Sequence, residues 1–339
     1  MVFIRRWFGP LAVLLVLAVS GGYWFYWNAL AEGLVEGVER TQRQWQKHDT
    51  DLTYSAVEVT GFPYRLELRL TAPEIALPKQ PGQAVWRTEE LVIYFQPWKL
   101  GHAIAETKQP VQVAWTEGTV RRNAEIRSSA NRASVVVGPD GRWLRFNTDT
   151  RDVEIAGSLA LKKAASIQAH GRRIVDDRGN ATLDLAVRGE GITIDPGSSP
   201  FGKQLDLFRL TLGFEPEPLS QSADDLEVWR RSGGVMQMRT LEFVAGDLSV
   251  TGNGTFAIDE NRQPEGASTL TIRGAEAFVD AISAAGQLSS GARIGLRLGI
   301  TALEKQDSSG DKVVQVPVTL QDGKLGLMGI GLVSIPPLY

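Results

Sequence analysis

The chain has 339 residues, 43% hydrophobic and 22% charged, with a formal net charge of −3; this excludes global disorder and gives no general case for nucleic-acid binding. It contains no cysteine, which removes disulfides, thiolate metal sites and a cysteine nucleophile together. Charge is uneven, with 12 Lys+Arg against 7 Asp+Glu over residues 119–178 and 13 against 20 over 179–339; this reads mainly as solvated strand edges and turns, with contact to anionic lipid head groups as the functional alternative.

Arg5 and Arg6 precede an almost uncharged run from Trp7 to Trp27. As a helix this run rises about 30 Å, the thickness of a bilayer's hydrocarbon core. Its middle, around Leu14, is purely aliphatic, and Trp7 and Phe8 on one side answer Tyr23 to Trp27, including Trp24, on the other. Aromatic residues at both edges form the belt expected at head-group level, and the paired arginines place the short N-terminal side in the cytoplasm. The competing reading is a signal peptide cut after Ala18-Val19-Ser20, against which stands the aromatic cluster that would begin the mature chain. Leu30, Leu34, Val38, Thr41 and Trp45 then form one helical stripe. Residues 1–28 are therefore expected as a transmembrane anchor, 29–48 as a juxtamembrane amphipathic helix and 49–339 as an exported β-rich domain.

From Asp51 onward the dominant period is two. Tyr64, Leu66, Leu68 and Leu70 alternate with Arg65, Glu67, Arg69 and Thr71, a strand with one buried face. The same alternation recurs as Leu91/Ile93/Phe95, Leu183/Leu185/Val187, Leu248/Val250, Leu270/Ile272, Ile294/Leu296/Leu298/Ile300 and Val314/Val316/Val318/Leu320. Turn signals such as Pro139-Asp140-Gly141, Gly252-Asn253-Gly254 and Asp322-Gly323 separate the runs. The expected class is mainly β: a large curved antiparallel sheet system, groove or sandwich-like, with a few short helices. Two of these are predicted, at 222–231 and 275–288. The Pro/Gly/Ser-rich segment 195–200 is the best internal boundary, read as a loop between two halves of one sheet system.

Gly61-Phe62-Pro63-Tyr64 is the most singular local feature, read as a corner between strands with a trans Phe62–Pro63 bond expected and cis worth checking. No GxGxxG, Walker, HExxH or GxSxG pattern occurs, so no cofactor, metal site or catalytic residue is assigned. His48, His102 and His170 are expected at helix ends or in loops. Asp176-Asp177 and Asp224-Asp225 are expected as turn and helix-start residues, and the tryptophans as belt, helix-stripe and core residues rather than a sugar platform.

These features together resemble a Gram-negative envelope family, the domain of unknown function 2125. The resemblance rests on the anchor, Trp45, Gly61-Phe62-Pro63-Tyr64, Trp229 before Gly233-Gly234, Asp259, Pro264 and Gly266, Asp322-Gly323, and Pro336-Pro337. That family is similar in turn to the AsmA-like group. This likeness implies an inner-membrane anchor, a periplasmic β-groove with an apolar interior, and contact with phospholipid or another apolar envelope ligand. The expectation is a non-enzymatic, single-pass protein that contacts or moves such a ligand. The alternatives are an envelope scaffold whose apolar faces close into an ordinary core and, third, an enzyme, which a histidine meeting a carboxylate in a cleft would signal.

Overall fold

The computed structural model describes residues 8–47, 49–77, 83–107, 110–195, 197–218, 223–284, 290–306 and 310–339. Phe8–Gln46 forms one uninterrupted helix, α1, of 39 residues. Its one proline, Pro10, sits in the first turn, where no intrahelical donor is lost. The apolar segment and the amphipathic stripe are thus one rod, about 60 Å long at 1.5 Å per residue. Arg5, Arg6, Trp7 and His48 lie outside the described residues.

The chain divides into two compact units, one holding residues 1–126 and 132–135, the other 127–131 and 136–339. The expected boundary at 195–200 is not where they part. That segment connects two strands paired almost residue for residue, Ile192↔Leu205 being near its base.

In the first unit the strands are β1 (Asp51–Thr53), β2 (Ala56–Thr60), β3 (Leu66–Thr71), β4 (Glu74–Ala76), β5 (Ala84–Arg87), β6 (Glu90–Gln96), β7 (Lys99–Thr107) and β8 (Val111–Glu117); β9 (Val120–Arg127) and β10 (Ala130–Val137) straddle its border. The first nine form two antiparallel ladders, β2–β3–β6–β7 and β1–β4–β5–β8–β9, and β10 pairs with β7. Leu66, Leu68 and Leu70 are buried as their alternation requires, facing Phe95, Ile93 and Leu91 across the ladder. Two expectations need correction here. Tyr64 belongs to the preceding turn and is 78% exposed. In β6 the fully buried residue is Val92, of the opposite parity, while Leu91, Ile93 and Phe95 are half-buried. Burial in that strand follows neither parity strictly, so alternation misplaced its wet side.

The second unit is a long meander: β11 (Trp143–Gly157), β12 (Leu161–Val175), β13 (Ala181–Ile194), β14 (Gln204–Glu215), β15 (Val235–Ala245), β16 (Leu248–Ile258) and β17 (Pro264–Arg273). Each pairs antiparallel with the next. Beyond β17 lies β19 (Lys312–Gln321), flanked on its far side by β18 (Glu304–Gln306) and β20 (Lys324–Leu327), with β21 (Ile330–Ser334) last. The mainly β, antiparallel class predicted from period-two patterning is what the chain adopts.

Three helices interrupt this meander: α2 (Ala223–Arg231), α3 (Ala275–Ala284) and α4 (Ser290–Leu303). Asp224 and Asp225 fall in the first turn of α2 and Arg230 and Arg231 in its last, complementing the helix dipole. Gly233, at φ +77°, supplies the left-handed residue that ends it. α3 begins where expected, and the rest of its expected span, 285–288, lies outside the described residues. α4 overturns the strand expected at Ile294/Leu296/Leu298/Ile300. Leu296 and Ile300 are buried at 1% and 6%, whereas Ile294 and Leu298 are 59% and 68% exposed. A four-residue repeat hidden within apparent alternation is a helical stripe.

Candidate functional site

In the first unit, α1 is fastened to the sheet at the far edge of its apolar run. Tyr23 Oη donates to the carbonyl of Pro63 at 2.5 Å, Tyr26 Oη to that of Pro97 at 2.7 Å, and Trp27 Nε1 to that of Arg65 at 3.1 Å. Phe62 completes the contact, 5.6 Å edge-on to Trp27 and 6.1 Å from Tyr23. The Gly61-Phe62-Pro63-Tyr64 corner is therefore the β2–β3 turn, seated on the helix. Its Phe62–Pro63 bond is cis, not trans as expected. Gly61 has φ +99°, and a Cβ there would come within 2.9 Å of the Arg65 carbonyl oxygen, so no side chain fits the turn. Trp27 is buried, while Leu11, Val13, Leu14, Leu15, Val16, Leu17 and Val19 are 59–66% exposed. Trp45, from the same stripe, is 37% exposed and contributes its carbonyl to the Thr50 amide.

The second unit carries a one-sided apolar face, traced through the register because directly opposed residues share a face. Leu183, Leu185 and Val187 oppose Phe214, Leu212 and Leu210, which with Phe208 oppose Met236, Met238, Leu241 and Phe243. The row continues through Val250 and Ile272 to Val314. A bulge at Arg239–Thr240 returns Leu241 to the face of Met238, because one extra residue flips the parity. The opposite face carries ion pairs across its middle, Asp184 with Arg172 at 3.0 Å and Arg239 at 2.8 Å and Arg209 with Glu242 at 3.0 Å, and turns apolar toward Ile192 and Leu205.

Helices close the apolar face at its ends. Over β16, β17 and β19, α3 and α4 complete a core in which Ile272 and Val279 are fully buried and Leu296, Val314 and Val316 nearly so. Phe201 joins it, 4.9 Å from Phe243 and stacked on Phe278. At the other end Trp229 of α2 is buried 6.4 Å from Phe214. Its Nε1 donates to the Pro216 carbonyl at 2.7 Å. Between these zones Leu185, Leu210, Leu212, Met238 and Leu241 are only half-buried and Val187 is 38% exposed. This strip is the candidate site. Period-two patterning marked its β13 edge; the β15 bulge hid Met238 and Leu241, and in β14 the alternation from Phe208 to Phe214 follows Leu205 and Leu207 of the opposite parity.

Many of the other signature residues meet at one structural knot in this unit. Gly234 lies so close under Trp229 that a Cβ would sit 2.3 Å from the indole. Asp259 Oδ1 accepts from the Gln263 amide at 2.8 Å in the β16–β17 turn. Gln263 in turn fills the space over Gly323, whose carbonyl accepts from Ile335. Asp322 and Gly323 both have positive φ, as a two-residue hairpin turn requires. Gly266 faces the Thr255 carbonyl so closely that any side chain would collide with it. Beyond Pro336 and Pro337, the Leu338 amide donates to Arg262 and Tyr339 Oη to Glu227 at 2.9 Å. Glu227 also accepts from Arg230 and Arg231, and these donors hold its carboxyl far below the ordinary value of 4.5. Burial, then Glu227 itself, pushes the Tyr339 phenol up.

His102 and His170 lie within β7 and β12, not in loops or at helix ends. His170 Nδ1 is 3.0 Å from the Asn147 amide oxygen. Among the described residues no group of three potential metal-ligating side chains converges. Within the basic stretch, Arg122, Arg132, Arg151, Lys162, Lys163, Arg172 and Arg173 each have an acidic partner; Arg173 among them is buried, while most of the others are solvent-exposed.

A long apolar helix fastened at one edge to a β unit, followed by a sheet with one greasy face and ion pairs across the middle of the other, defines a mainly β protein with a single N-terminal helix suited to be a membrane anchor or a signal sequence. The chain belongs to the bacterial family described as "Uncharacterized protein conserved in bacteria (DUF2125)", whose family model matches residues 24–336. No curated protein and no solved structure matches it.

Proposed function

We propose that this is a single-pass envelope protein, N-terminus cytoplasmic and bulk periplasmic, whose half-buried apolar strip takes the acyl chains of membrane lipid. One observation carries the reading: a row of apolar side chains runs across the sheet, and its middle is left half-buried between two helix-closed ends. Met236 and Met238, two of the chain's four methionines, stand on or beside the strip, and their flexible thioethers adapt to an irregular apolar guest. The role is binding or transfer, without catalysis. The AsmA-like comparison belongs to the same reading, since it implies an apolar β-groove beside a membrane.

The second reading is a scaffold with a closed core. The α3–α4 plug favours it, because there the same face packs as an ordinary interior. A photo-crosslinking side chain separates the two when placed at Leu210, on the apolar face, or at Thr211, on the ionic one. The acyl-binding reading expects phospholipid adducts at position 210 and background at 211. Equal background at both positions, in cells with intact membranes, favours the scaffold.

A further inference from the structure

We infer that the first unit lays two hairpin tips into the head-group layer of the bilayer, so that the β domain rests on the membrane surface as well as hanging from α1. The inference rests on the anchor reading above and extends it to the sheet. The β2–β3 tip presents Phe62, 49% exposed, and Tyr64, 78% exposed. The β6–β7 tip presents Trp98, 67% exposed, and Leu100, 42% exposed. Such large aromatic surface is costly in water, at about 25 cal/mol per Å² of apolar area, and aromatic rings are the residue type that head-group layers favour.

The height of these tips is set by the helix. Pro63 and Pro97, one in each turn, accept hydrogen bonds from Tyr23 and Tyr26. Those tyrosines stand three residues apart, about 4.5 Å along the rod. They belong to the far aromatic edge of the apolar run, which lies at the membrane–water boundary when the aliphatic middle fills the hydrocarbon layer. Both tips are therefore held beside the interfacial segment of α1. Lys99, exposed next to Trp98, adds a cation suited to lipid phosphate. A bilayer explains the exposed rings at the tips and the exposed aliphatic run of α1 with one surface.

The absence of cysteine makes the test direct. Single substitutions Tyr64→Cys, Trp98→Cys, Leu14→Cys and Val120→Cys, each carrying a fluorophore, are reconstituted as full chains in phosphatidylethanolamine–phosphatidylglycerol vesicles with spin-labelled lipid. Labels at 64 and 98 are expected to be quenched about twofold more by lipid labelled near the head group than at the chain end, as an interfacial depth requires. Leu14→Cys shows the reverse order, and Val120→Cys responds only to aqueous quencher. If 64 and 98 behave like 120 while 14 stays lipid-quenched, the anchor stands and the tip inference falls. Shielding of both tips from water and lipid alike points to a protein partner and overturns it equally. Loss of lipid quenching at 14 removes the anchor reading, and the inference with it.

Discussion

Gly234 and Glu227 show how single residues fix the α2 region. Adding a methyl at Gly234 drives a Cβ to 2.3 Å from the Trp229 ring, so the buried indole must move away from its hydrogen bond to Pro216. Gly234→Ala is expected to destabilise the chain by about 2–4 kcal/mol, measured by urea denaturation, because overpacking and a lost buried partner add. Glu227 makes a pH prediction. Its folded carboxyl is depressed below 4.5 by Arg230, Arg231 and Tyr339, so its stabilisation is complete above that ordinary value and drains away as pH falls toward the folded one. Glu227→Gln should flatten the acid limb of stability below about pH 5, and Tyr339→Phe should do so in part. An unchanged acid limb in Glu227→Gln would show that another carboxylate dominates. Gly234 was legible in sequence only as a member of a signature, and Glu227 only as one residue of the helix predicted at 222–231. The glycine was visible, but the indole above it comes from tertiary contact.

At the scale of elements, one apolar face divides into a sealed zone and an unsealed one, and substitutions should respond differently. Val279→Ala and Leu296→Ala, in the sealed plug, are expected to cost about 2–4 kcal/mol each as cavity-forming changes. Leu185→Ala and Leu210→Ala, on the half-buried strip, should cost about 1 kcal/mol, since less area leaves water on folding. Equal costs at all four would mean that the strip is core. The helix–turn contact is a third element-scale test. Trp27→Ala removes a buried indole, its hydrogen bond to Arg65 and the ring under Phe62, and should release the β2–β3 turn to faster amide exchange at Arg65 and Leu66, whereas Trp27→Phe retains much of the packing. Strands with strict alternation were readable: β3 because one face is buried, and β13 because its apolar residues share one face even though that face is only partly buried. α4 was misread because Ile294 and Leu298, though apolar, point outward, and β6 because its burial follows neither parity strictly. The β15 bulge breaks period two and hid Met238 and Leu241 from any alternation count.

For the whole molecule, sequence patterning disclosed the class, the single apolar helix and the antiparallel meander. It could not disclose which apolar faces close, since closure depends on α3 and α4 folding back over strands before and after them in the chain. On the proposed reading, the strip between the plugs holds acyl chains. The most direct measurement is native mass spectrometry of the full chain released gently from its host membrane, beside a triple variant Leu185→Asn, Leu210→Asn, Met238→Asn shown by circular dichroism to be folded. Phospholipid-sized adducts are expected on the wild-type chain and to survive delipidating washes, with a loss of about tenfold in the variant, as befits removal of apolar contact from several positions. Identical adducts on both chains, or a bare mass for the wild type under conditions that preserve lipid on a control protein, would contradict that reading.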